Sequence, residues 1–234
     1  MKNGQIQKIA YMAIYMALYV VLKMVGNLIP ILQMPNGGSI ELELIPLMIA
    51  SYHLGWKYGA LCGLASFVLT IALGFPVYFV HPIQIVLDYV LPICSVGMVS
   101  LFKPFIHASK SVVVGVLTVI GLCAGYAVYV SYGKNIQSIL IAIGLVVVLV
   151  LLGIFLTSTK EHFGIVVVMV IKYLSTVLSG AYFWADGVAA GSLPAWTFSL
   201  TYNLWYNLVT MMICLVVVPI LMSRIHMAGI RVLH

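Results

Sequence analysis

Residues 136–157 read IQSILIAIGLVVVLVLLGIFLT, a run with no charged residue. A helix that is apolar all round offers no face to water and belongs either in a large core or in a membrane. At about 1.5 Å per residue this run reaches roughly the 30 Å of a bilayer's hydrocarbon layer. The rest of the chain cannot supply a soluble core around it, because 64% of the 234 residues are hydrophobic and only 7% are charged. Soluble domains carry about a quarter charged residues.

Working outward from this run, apolar blocks separated by breakers place helices near 6–29, 41–53, 56–74, 82–102, 111–130, 136–157, 163–184 and 197–222. The expected fold is all-α: a polytopic integral membrane bundle, one membrane domain over residues 1–234. The second segment is too short to cross alone, begins with Glu41 and Glu43 and contains Pro46, which predicts a partly re-entrant piece. Pro30, Pro35, Gly37 and Gly38 punctuate the loop before it. The cysteines Cys62, Cys94, Cys123 and Cys214 are far apart in apolar blocks and lack metal-ligand spacing, so they serve as small apolar residues.

The formal charge of +6 could point to a nucleic acid, but its distribution points to the lipid bilayer. Eight crossings would put both termini on one side. Lys2, Lys8, Lys57, Lys103, Lys110, Lys160, Arg224 and Arg231 all fall on that side, and only Lys134 falls in an opposite loop. Cytoplasmic loops are enriched in Lys and Arg, so both termini are expected in the cytoplasm of a prokaryotic cell, beneath its plasma membrane. Glu41, Glu43 and Asp186 would then lie on the outer side.

Asp88 and Lys172 fall inside spans, where a charge costs at least about 2.5–3.5 kcal/mol and calls for a reason. Two arrangements fit. In one, Asp88 faces an outward cavity and accepts hydrogen bonds from a cationic or amine-bearing ligand; in the other, Asp88 and Lys172 neutralise each other. His81, Gln84 and Asp88 share one helix face, with Tyr78 just upstream, although a His beside a Pro also suits a helix cap. Lys172, Thr176 and Ser179 make a second polar stripe, which could equally be helix packing. Tyr182, Phe183, Trp184, Trp196, Phe198, Tyr202, Trp205 and Tyr206 crowd the outer ends of the last two helices. Such rings form an interfacial belt and can also stack on a flat ligand. Asn203, with Ser199 and Asn207 on its face, wants a partner one turn inside a span. No nucleotide-binding loop, dinucleotide turn or His–Glu metal motif is present, so no cofactor and no enzymatic activity are expected, and any ATP use would fall to partner subunits.

Three stretches carry a resemblance. They are Met34-Pro35-Asn36-Gly37-Gly38-Ser39 with Ile45-Pro46; Tyr78-Phe79-Val80-His81-Pro82-Ile83-Gln84 with Leu87-Asp88-Tyr89; and Ser179-Gly180 with Phe183-Trp184, Pro194-Ala195-Trp196 and Tyr202-Asn203. They resemble the thiamine-specific S-components of energy-coupling factor (ECF) transporters. The resemblance implies a six-helix core, here residues 6–103 and 163–223, with 104–162 as an inserted helical hairpin. It implies a vitamin-binding subunit that works with a transmembrane coupling protein and two ATPase subunits. By position, Asp88 would be the acidic ligand contact and Tyr89 its neighbour, Trp184 a stacking ring, Asn203 a polar contact and Lys172 a basic residue of the site. Tyr78, His81, Gln84 and Tyr202 would lie around it. Thr176 stands where the thiamine binders carry a histidine, and Phe198 where they carry a tyrosine. Ala13 and Ala17 match the small-residue pattern that docks on the coupling protein. A stand-alone secondary transporter of a small cationic or heteroaromatic solute is the other class to weigh; the internal repeats common in such folds are not evident in the sequence.

The charge asymmetry predicts that single cysteines placed at positions 57 and 160 stay unlabelled when intact cells are treated with a membrane-impermeant thiol reagent. Labelling from outside would reverse the orientation.

Overall fold

A computed structural model describes residues 2–34, 37–102, 110–131, 135–155, 159–185 and 187–227. Of the residues used above, Pro35, Asn36, Lys103, Lys134, Asp186 and Arg231 lie outside the described ones. The helices are α1 (Lys2–Leu28), α2 (Leu44–Leu54), α3 (Trp56–Ala72), α4 (Pro82–Gly97), α5 (Lys110–Ser131), α6 (Ile136–Phe155), α7 (Thr159–Ser179) and α8 (Leu193–Met227). Among the described residues the only extended pairing is an isolated bridge between Gln33 and Ser39. The fold is an all-helical membrane bundle. α1, α5, α6, α7 with its extension to Trp184, and α8 are each long and apolar enough to cross a bilayer.

The expected helices are all present, and the shifts at their ends have local causes. α2 begins at Leu44 rather than 41, because Glu41–Glu43 form an entry turn in which the Leu44 amide bonds the Glu41 carbonyl. Pro46 sits in the first turn of α2, where its missing N–H breaks no helical bond. α8 begins at Leu193 rather than 197: Pro194 is tolerated in a first turn, and Ser192 Oγ accepts the Ala195 amide.

α2 is the axis of the core. All of its eleven residues are buried, against α1, α3, α4 and α8. At about 16 Å it falls well short of a bilayer's thickness. Gly55, at φ +92°, turns the chain straight from α2 into α3. α3 and α4 then cross through glycines: a Cβ at Gly59 would collide with the Gly97 carbonyl oxygen, and one at Gly63 would lie 2.8 Å from Ile93 Cγ2. Close backbone approach at small residues is how helices associate where solvent gives no hydrophobic drive.

α5 and α6, both within the segment 104–162, pack chiefly on each other and meet the rest of the bundle mainly through α5, against α7 and α8. Only 17% of the most apolar window of α6 is buried, which leaves its aliphatic side chains facing outward as a lipid-facing helix requires.

Gly59→Ala should lower the melting temperature of the detergent-solubilised protein, equivalent to about 1–3 kcal/mol, because the added methyl overpacks a backbone contact. Gly115→Ala, where nothing lies within 4 Å of the added Cβ, should leave it unchanged or raise it slightly. Equal losses in both variants would remove the α3–α4 contact as the cause.

Candidate ligand-binding site

Asp88 owes its position to a break in α4. Pro92 has no N–H to offer the carbonyl of Asp88, four residues earlier, and the helix widens over Val86–Val90 into a π turn, with the Leu91 amide bonding the Val86 carbonyl. Such wide turns are frequent at functional sites. A second one, Gly180–Trp184, extends α7 directly opposite. The two are joined through the carboxylate: Ser179 Oγ donates to Asp88 Oδ2 at 2.7 Å and Trp184 Nε1 donates to the same oxygen at 3.1 Å. Ser175 Oγ also donates to the Leu87 carbonyl at 2.5 Å. Both bonds to Asp88 come from neutral groups and both fall on Oδ2.

The basic residues of the site go to other acids. Lys172 Nζ lies 2.9 Å from Glu41 Oε2 and donates to Asn207 Oδ1 at 2.7 Å. Lys23 Nζ, from α1, lies 3.1 Å from Glu43 Oε1. The arrangement in which Asp88 and Lys172 neutralise each other is therefore not the one adopted. Two lysines are cancelled by the two glutamates of the loop before α2, and Asp88 makes no ion pair among the described residues. With all five side chains ionised, one negative charge is left over, on Asp88. The loop bearing the glutamates is itself anchored on α8: the Glu41 amide donates to Thr210 Oγ1 at 3.1 Å, and Tyr202 OH donates to the Gly37 carbonyl at 2.9 Å.

These groups border a cavity of about 550 Å³, its open mouth included. Asp88, Lys172, Glu41 and Lys23 give it charge; Tyr19, Phe67 and Tyr89 give it rings; Phe75, Pro76 and Val77 of the α3–α4 loop cover it. Tyr89 stacks on Phe67 with centroids 5.5 Å apart, and its hydroxyl meets the Tyr78 backbone, accepting from the amide at 3.1 Å and facing the carbonyl at 3.4 Å.

Of the residues singled out in the sequence, Asp88, Tyr89 and Lys172 line the cavity. Trp184 does not, and reaches the site through its bond to Asp88. His81 and Gln84 form a reciprocal cap on α4: His81 Nδ1 accepts the Ile83 amide, and Gln84 Oε1 accepts the Val80 amide at 2.7 Å and the His81 amide at 3.3 Å. The His81 ring stacks on Phe183, tying that cap to the second wide turn. Tyr78 is exposed, and its backbone rather than its ring serves Tyr89. Asn203 is occupied by Ser199 and by the Tyr206 hydroxyl, and Phe198 stacks on Tyr202 outside the cavity. Thr176 Oγ1 donates to the Tyr173 carbonyl at 3.0 Å and lies 3.5 Å from Asn207 Nδ2.

The cavity also contains residues that sequence reasoning left outside the site: Tyr19, Lys23, Glu41 and the α3–α4 loop. The signal for two of them was present. Lys23 is a charge within a span and Glu41 an acid at a helix start, and buried charges call for partners. Nothing in the sequence says which acid meets which lysine.

A helical bundle that is apolar outside and has charged side chains around a cavity defines a polytopic membrane protein. The chain belongs to the thiamine transporter protein family (Thia_YuaJ), whose model matches residues 9–228. It is similar to the thiamine transporter ThiT of Bacillus subtilis (strain 168), with 28% identity over 220 residues, covering 94% of this chain and 92% of that protein. No solved structure gives a significant match.

Proposed function

We propose that this protein is the substrate-binding S-component of an ECF-type importer: it takes thiamine from outside the cell and passes it inward with a transmembrane coupling protein and two ATPase subunits. The observation that carries the binding half is the uncancelled carboxylate of Asp88 on a cavity whose lysines are already paired. Thiamine carries a cationic thiazolium ring and an aminopyrimidine ring, so it brings a positive charge and N–H donors to the carboxylate that no lysine has taken. A charge-assisted bond to an ionised carboxylate is roughly twice as strong as a neutral one. Membership of the thiamine transporter family, and the similarity to the Bacillus thiamine transporter, support the same ligand.

In this proposal Asp88, Tyr89 and Lys172 are the ligand-side residues. Trp184 and Ser179 hold Asp88 in place through Oδ2, which leaves Oδ1 for the ligand. The coupling half rests on α1, where Ala13 and Ala17 lie one turn apart and exposed, so that a partner helix could approach closely.

Asp88→Asn keeps the shape and removes the charge. It should weaken thiamine binding to the purified protein by roughly 1.5–3 kcal/mol, about ten- to a hundred-fold, as measured by calorimetry. Unchanged affinity would reduce Asp88 to a structural bond to α7.

Replacing Ala13 and Ala17 together by Leu should leave thiamine affinity intact and abolish uptake in cells that also supply the coupling protein and ATPases. Uptake that persists without any ATPase partner, driven by an ion gradient alone, would instead make the protein a stand-alone secondary transporter.

A further inference from the structure

Lys172 and Asp88 line one cavity and carry opposite charges, yet the lysine is turned to a different acid. A lysine has a long flexible stem and three rotatable donors, so something must choose its partner. Glu41 supplies the opposite charge, but its Oε2 lies beside the ammonium without accepting a hydrogen bond from it. The remaining anchor is Asn207, a buried carboxamide on α8.

The orientation of that amide is over-determined. Its Nδ2 donates to the Asn203 carbonyl at 2.9 Å and lies 3.5 Å from Thr176 Oγ1. This leaves Oδ1 as the group that faces Lys172, accepting from Nζ at 2.7 Å. The opposite flip would point an NH₂ at an ammonium and a carbonyl at a carbonyl, two repulsive contacts in place of two bonds. The Tyr206 ring lies 5.4 Å from the ammonium and completes the pocket around it.

We infer that Asn207 is a positioning residue that determines the charge specificity of the site: it holds the Lys172 ammonium on Glu41 and away from Asp88, so that the cavity presents an unneutralised carboxylate and prefers a cationic ligand. Without it, the ammonium is free to share itself with Asp88, and the lysine then competes with the ligand for the same carboxylate. This inference rests on the reading of Asp88 as the cation-binding group. Its test therefore compares two ligands of one shape: thiamine, and the uncharged isostere in which a thiophene replaces the thiazolium ring.

The wild type should bind thiamine more tightly than the isostere. Asn207→Leu should weaken thiamine binding by about ten-fold, the scale of one buried charge-assisted bond, while affinity for the isostere changes by less than about two-fold. A cavity that merely collapsed would lose both ligands together, so equal losses in Asn207→Leu overturn the inference, as does an unchanged ratio. If Asn207→Leu cannot be purified folded, Asn207→Ala, which removes the same carboxamide without adding bulk, takes its place: its ratio should also fall towards one, and a ratio equal to wild type overturns the inference. A wild type that does not distinguish the two ligands would overturn the reading of Asp88 and this inference together; a wild type that does, with variants that do so equally well, would overturn the inference alone.

Discussion

Five ionisable side chains gather at one end of a bundle whose outer surface is made for hydrocarbon, and the geometry of the site follows from the cost of keeping them there. An isolated charge in a low-dielectric interior loses its hydration, and only a close partner of opposite sign with further hydrogen bonds restores part of it. Lys23 and Lys172 therefore dictate where two acids must be, and the loop before α2 brings Glu43 and Glu41 to them. Anchoring that loop also explains its links to α8, through Thr210 and Tyr202, and the position of Gly38, where a Cβ would lie 2.8 Å from the Tyr206 ring.

Asp88 is left out of this pairing, and the fold compensates it with neutral donors instead. Ser179 and Trp184 stabilise the carboxylate without cancelling its charge. For the proposed role of Asp88 as the cation contact that distinction matters: a lysine partner would have to be displaced by an incoming cation, whereas a serine and an indole can stay in place. Two wide helical turns make this possible. Pro92 opens α4 at Asp88, and the turn at Gly180–Trp184 opens α7 opposite it, where Gly180 leaves room for Ser199 on α8.

The polar residues around the cavity divide into groups that face it and groups that build it. His81 and Gln84 look like ligand contacts in the sequence because they share a face with Asp88, yet they cap α4 and fix the covering loop. Asn203 has the same ambiguity; its carboxamide is spent on Ser199 and Tyr206, and its carbonyl holds Asn207. A polar residue inside a span must find a partner, and the nearest one is usually a backbone group one turn away rather than a solute.

What the sequence determined by itself is the bundle. Runs such as 136–157 can exist only as helices in hydrocarbon, since each backbone group must be bonded within its own segment, and the helix boundaries followed from Pro and Gly punctuation to within a few residues. It also singled out Asp88 and Lys172, because a charge within a span is rare enough to call for a reason, while Tyr89 came only from the resemblance. The pairing of those charges was decided only by tertiary structure. Glu41 and Lys172 are far apart in the chain, and Asp88 competes for the same ammonium; which acid wins depends on how α2, α4, α7 and α8 set the distances and on an amide, Asn207, whose orientation is fixed by a backbone carbonyl. Helix formation is local and periodic, so it can be read along the chain. Charge pairing depends on distances across the bundle, which only the packed helices define.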